Sequence, residues 1–129
     1  MKVLGFHEET WPAIPGSVGS IRDDVTDAPC PDEREIAAYL RGGHVLFASM
    51  GVVDDVLGSG ESIVGGGSLL TDGEWVWRGD LSFYVTTYHL ALPDEFVSRA
   101  RAAGFQVPAV GQERLMELTD AVQALRSTK

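Results

Sequence analysis

The chain has 129 residues, 10 basic and 19 acidic side chains, one cysteine and an apolar fraction of 44%. That length fits a single domain over residues 1–129, since two independent cores would each lie near the lower size limit. Three Trp, three Tyr and five Phe exclude a disordered chain. The net charge of −9 argues against the phosphate backbone of a nucleic acid as ligand.

No apolar run is long enough to span a membrane, and the opening residues turn acidic by Glu8, so neither a membrane segment nor a secretory signal is expected. The lone Cys30 has no partner for an internal disulfide and fits a reduced, cytoplasmic setting. The excess charge is uneven. Met1 to Asp72 carries four basic against twelve acidic residues, whereas Gly73 onward carries six against seven.

Residues Met1 to Phe6 alternate loosely and read as an opening strand. Trp11 to Pro31 contains Pro12, Pro15, Pro29 and Pro31 and reads as a long surface connection, with one short extended piece at Ser17–Arg22. Pro31 then takes a first helical position, followed by Asp32 and Glu33 where acids complement the helix dipole. Ile36, Ala37 and Leu40 form the apolar stripe of this helix, and Gly42 ends it. His44 to Met50 is a short apolar run that reads as a buried strand. Gly58 to Gly67 is turn-rich around Ile63 and Val64.

Ser68 to Arg78 is the clearest hairpin signal. Two apolar segments flank Asp72-Gly73, the dipeptide favoured by a two-residue type I′ turn. That turn sets Leu70 opposite Trp75 and Leu69 opposite Val76. One face then holds Leu70, Trp75 and Trp77, the other Leu69, Thr71 and Val76. Asp80 is placed to cap a short helix carrying Leu81, Tyr84, Val85 and Tyr88 on one side. Pro93 opens another helix, with Phe96, Val97, Ala100 and Ala103 as its stripe and Gly104 as its end. Gln112 to Arg126 is the last, with Leu115, Leu118, Val122 and Leu125 facing either the core or a second copy in a homodimer. The expected fold is α+β: a small, mainly antiparallel sheet with an Asp-Gly hairpin packed against four helices, the C-terminal half helical.

No catalytic template is satisfied. His7, His44 and His89 lack partners at metal-ligand spacing, so no metal and no cofactor is expected, and His44 reads as a structural histidine at the start of its strand. The triglycine Gly65-Gly66-Gly67 precedes a strand rather than a helix and has no lysine near it. It reads as a bend, a bulge or room for a neighbouring side chain instead of a phosphate loop. Cys30 sits among prolines and carboxylates, a poor setting for a nucleophile. Asp54-Asp55 reads as an exposed turn pair. Trp75, Trp77, Tyr84, Tyr88 and His89 form either the aromatic core of a small domain or the lining of a ligand pocket.

The segment SLLTDGEWVWRGDLSFYVTTYHLALPDEF, residues 68–96, pairs a T-D-G-x-W-x-W hairpin with a Y-V and Y-H helix and then L-P-x-E-F. In that pattern it resembles a group of small bacterial proteins, some encoded beside polymorphic toxins in the manner of immunity proteins. The resemblance covers about a quarter of the chain and implies no catalytic residue.

Charge asymmetry and the missing catalytic templates together favour a non-enzymatic, acidic protein-binding module, with a toxin as one class of basic partner. Trp11, Asp23, Asp24, Asp54, Asp55 and Glu61 are its expected contact residues, because interfaces draw energy from aromatics and steer with charge. A small-molecule-binding protein or small enzyme with the aromatic pocket is the alternative.

Overall fold

A computed structural model describes residues 2–4, 21–28 and 31–127. The elements run β1 (Lys2–Leu4), a 3-10 turn (Ile21–Asp24), α1 (Glu33–Arg41), β2 (His44–Phe47), β3 (Val52–Asp54), β4 (Ser62–Val64), β5 (Leu69–Thr71) and β6 (Trp75–Arg78). Then follow α2 (Leu81–Tyr88), α3 (Asp94–Ala102) and α4 (Gln112–Ser127). The described residues form two sheets: a four-stranded one in the order β1-β6-β5-β2 and a ribbon of β3 and β4. Among the described strands, β1 alone pairs in parallel, against β6. The α+β architecture with a helical C-terminal part is the one expected from the sequence.

The main sheet is covered on both faces, which explains why Trp75, Val76 and Trp77 are buried in succession instead of alternating with polar residues. Trp75, Trp77 and Leu4 face α1, α2 and α3, in a core with Ile36, Tyr39, Leu40, Tyr84 and Phe96. Leu69 and Val76 face the other way, against Leu118 and Val122 of α4. Phe96 lies at the aromatic centre, edge-on to Tyr39, Trp75 and Trp77 with ring centroids 5.7, 5.6 and 5.7 Å away. Such contacts each add about 0.5–1.5 kcal/mol to the burial itself. Trp77 Nε1 donates to the Leu40 carbonyl at 2.9 Å, a shorter bond than the one this carbonyl takes from Gly43 N at 3.4 Å at the end of α1.

The β5–β6 hairpin departs from the two-residue turn. Leu70 pairs with Trp77 and Thr71 with Val76, so four residues, Asp72 to Trp75, make the loop. Only Gly73 adopts a left-handed φ, at 101°. The cause is the Asp72 side chain, whose Oδ1 accepts from Glu74 N at 3.0 Å and Trp75 N at 2.8 Å. A type I′ turn has no place for these bonds. The register therefore moves by two residues, an even number, and the division of side chains between faces survives.

Other local expectations are corrected. The residues Ile21 and Arg22, expected in an extended piece, lie in the 3-10 turn; Ser17 to Ser20 fall outside the described residues. The strand expected at His44 to Met50 ends at Phe47, and it is a half-exposed edge rather than a buried strand. Asp80 stands at the N-cap of α2 without capping it; its carboxylate takes Arg78 at 3.2 and 3.3 Å instead. The triglycine makes room for Val53, since a Cβ on Gly66 would stand 2.4 Å from Val53 Cγ2. His44 is structural, its Nε2 lying 2.9 Å from the Pro108 carbonyl.

Asp72 ties two helices to the hairpin. Its Oδ2 accepts from Tyr39 Oη of α1 at 2.7 Å and from Arg99 Nε of α3 at 2.9 Å. Burial alone would raise its pKa, but the bonds from Trp75, Tyr39, Glu74 and Arg99 together hold it below the usual carboxylate value. A lowered carboxyl contributes stability above its unfolded pKa, about 3.9, and that contribution is lost as pH falls below it. Asp72→Ala is expected to cost about 3–5 kcal/mol in urea unfolding, as loss of one partner of a buried pair does. Asp72→Asn, which does not titrate, is expected to show a shallower fall in stability from about pH 5 downward than the native chain. Equal acid slopes would contradict this role.

Candidate functional site

The expected contact residues do not all share one surface role. Trp11 lies outside the described residues, as does the side chain of Asp23. Asp24 closes the 3-10 turn and its carbonyl accepts from Ala91 N at 2.8 Å, fixing that turn beside the end of α2. Asp54 and Glu61 are exposed on the β3–β4 ribbon. Asp55 differs from the exposed turn residue expected of it: it is 7% exposed and its carboxylate is spent internally. Oδ1 accepts from Leu57 N at 2.8 Å, and Oδ2 from Ser59 N at 3.1 Å and from Tyr88 Oη. Burial pushes its pKa up, and the bonds from Ser59, Tyr88 and Leu57 more than reverse that, leaving it lowered.

The five aromatic-pocket residues separate in the same way. Trp77 and Tyr84 are closed off at 0% and 1% exposure, and Trp75 is buried against Phe96. Tyr84 and Tyr88 stack with centroids 6.2 Å apart on α2, and Tyr84 Oη accepts from Val56 N at 3.0 Å. Burial, first among several influences, pushes the Tyr84 phenol up to about 12, so it stays neutral. The two tyrosines are thus braces between α2 and the loop after β3. The five do not line one cavity: His89 borders one of about 600 Å³ at the end of α2, and Trp75 an open one of about 500 Å³ beside Glu74, Glu95 and Arg99.

What the bracing exposes is the outward face of the ribbon. Val52 pairs with Val64, Val53 with Ile63 and Asp54 with Ser62. Alternation turns Val53 and Ile63 inward and leaves Val52, Val64, Asp54 and Ser62 in solvent. Val52 and Val64 are 57% and 80% exposed, and Met50, just before β3, is 91% exposed. Val45 and Phe47 add to the apolar surface on β2, which has no second strand partner among the described residues. From Gly42 to Trp77 the chain has no lysine or arginine, so Asp54 and Glu61 border this face without a local cation in sequence.

A second feature is a cavity of about 600 Å³ between the start of α1, the end of α2 and α3. Ile36, Val85, Leu90, Leu92 and Val97 give it apolar walls, and Glu33, His89, Asp94, Ser98 and Arg101 its polar ones. His89 is left-handed, at φ 54°, ψ 45°. It is held there by Thr26 Oγ1, which donates to its carbonyl at 2.6 Å, and by Glu33, whose Oε2 lies 2.7 Å from Nδ1. No group of three or more metal-ligating side chains occurs among the described residues. No helix there is long and apolar enough to cross a membrane.

No protein-family model, curated protein or solved structure matches the chain. Sequence reasoning missed both features. The signal for the ribbon was present in the two triplets Val52-Val53-Asp54 and Ser62-Ile63-Val64, on either side of Gly58-Ser59-Gly60. The cavity draws on four separated segments and has no local signal.

The contrast between neighbouring aspartates is directly measurable. Asp54→Ala is expected to change stability by less than about 0.5 kcal/mol, as for an exposed residue. Asp55→Ala is expected to cost about 1–3 kcal/mol, because it strips partners from Leu57, Ser59 and Tyr88. Equal effects in chemical denaturation would contradict the different placements.

Proposed function

We propose that the chain is a non-enzymatic protein-binding module whose contact face is the outward side of the β3–β4 ribbon together with edge strand β2. The observation that carries this reading is the Val52–Val64 pair, left in solvent next to Asp54. Apolar pairs on a ribbon normally turn toward the core, and a contiguous exposed group rimmed by polar residues marks an interaction surface. Asp54 and Glu61 supply the rim, and their sign selects a partner with a basic border around an apolar centre. Asp24 belongs to the same acidic half of the chain, and Asp55 positions the ribbon instead of touching the partner. The likeness of residues 68–96 to immunity-like bacterial proteins fits a toxin domain as that partner, met in the cytoplasm where the lone Cys30 stays reduced. On α4, Leu118 and Val122 are already taken up by the sheet, and among the described side chains of that helix Met116, 61% exposed, is available to a homodimer.

The reading is tested by recovering the partner from the native host and measuring its affinity for three forms of the protein. Val52→Ser with Val64→Ser is expected to weaken binding by about tenfold or more, mainly through faster dissociation. Asp54→Lys with Glu61→Lys is expected to slow association and flatten its dependence on salt. Recovery of no partner, or affinity indifferent to both pairs of substitutions, would overturn it.

A further inference from the structure

The cavity at the end of α2 has a chemistry that the ribbon face does not use. Its volume of about 600 Å³ lies in the range of small-molecule sites, and its walls set apolar side chains beside polar and charged ones. The polar groups are unequal in sign. Arg101 is the one cation among the described lining residues, and its Nε already donates to Asp32 Oδ2. Glu33 and Asp94 remain as carboxylates, and the side chain of Asp94 has no hydrogen-bond or ion-pair partner among the described residues. Each stands in the first turn of its helix.

His89 adds a third acceptor. A carboxylate only accepts, so the contact with Glu33 places the proton on His89 Nδ1 and leaves Nε2 with its lone pair in the neutral ring. Nε2 has no hydrogen-bond partner among the described residues. The ring is carried on a left-handed residue, a conformation that a non-glycine keeps only where its surroundings enforce it. Thr26 and Glu33 provide that enforcement. An acceptor-rich, net-negative wall beside an apolar one selects a donor-bearing cation with an apolar body.

We propose that this cavity is a binding site for a small organic cation, an amine carried on an aromatic or branched aliphatic body. Asp94 and His89 receive the ammonium, and Val85, Leu92 and Val97 hold the body. The site is separate from the ribbon face and does not depend on the protein-binding reading.

Three probes of matched size test it: 2-phenylethylamine, 2-phenylethanol and 3-phenylpropionate, titrated by NMR against the full chain. The amine is expected to shift the backbone signals of His89, Ala91 and Val97, and to bind at least tenfold more tightly than the carboxylate. Asp94→Asn is expected to weaken the amine several-fold and to narrow its advantage over the alcohol. Ser98→Trp, placed at an exposed position on α3, is expected to block all three probes while leaving the circular dichroism spectrum unchanged. Val52→Ser with Val64→Ser is expected to leave the amine affinity unchanged, separating this site from the contact face. The proposal is overturned if the carboxylate binds as well as the amine, if no probe shifts these signals, or if Ser98→Trp leaves amine binding intact.

Discussion

The carboxylate of Asp72 is the interaction on which the scaffold turns. One oxygen is taken by two backbone N–H groups of its own loop, the other by Tyr39 of α1 and Arg99 of α3. The Asp72 carbonyl takes a further bond from Arg99, and the neighbouring Gly73 carbonyl accepts from Arg114 of α4 at 3.0 Å. A single loop therefore meets helices on both faces of the sheet. A buried charge of this kind is costly unless every lone pair is used, and here the acceptor sites are filled by geometry that only one loop conformation provides. The hairpin register, the burial of Trp77 and the seat of Phe96 all follow from that conformation.

From this rigid centre the ribbon of β3 and β4 extends as a separate, smaller sheet. Two strands of three residues are marginal alone, so the ribbon needs outside support. Asp55, Tyr84 and Tyr88 supply it from beneath, and Gly66 lets Val53 and Ile63 approach closely. This arrangement fixes the inner face and leaves the outer one unconstrained by packing. Val52 and Val64 can then be spent on recognition without loss to the core. The same economy holds at the cavity, where His89 is fixed through its carbonyl and Nδ1 while Nε2 is not needed for folding.

Much of the architecture was legible because its signals are local. Pro31, Pro93 and the apolar stripes of Ile36 to Leu40 and Phe96 to Ala100 marked α1 and α3, and the assignment of Trp75 and Trp77 to one face followed from strand alternation. The hairpin register was not legible, since Asp72-Gly73 alone does not reveal that the Asp72 side chain will bind Glu74 and Trp75. The position of Asp55 was misread for a related reason. Two adjacent aspartates look alike in sequence, and only the approach of Tyr88, 33 residues further along, sends one inward and leaves the other in water. His89 drew notice for its aromatic neighbours, whereas its actual partners, Thr26 and Glu33, lie 63 and 56 residues earlier in the chain.

The central claim is a division of labour: a scaffold locked through Asp72, and a ribbon braced on α2 that presents its outer face. Native-state hydrogen exchange tests it most directly, because it reads the opening free energy of each amide separately. The slowest exchange is expected at Val76 and Trp77, opening only with global unfolding. Val53 and Ile63 should exchange faster through a smaller local opening, and Tyr88→Phe should speed them further while leaving Val76 and Trp77 unaffected. Exchange of the ribbon amides at the same rate as β5–β6, and indifferent to Tyr88→Phe, would contradict it.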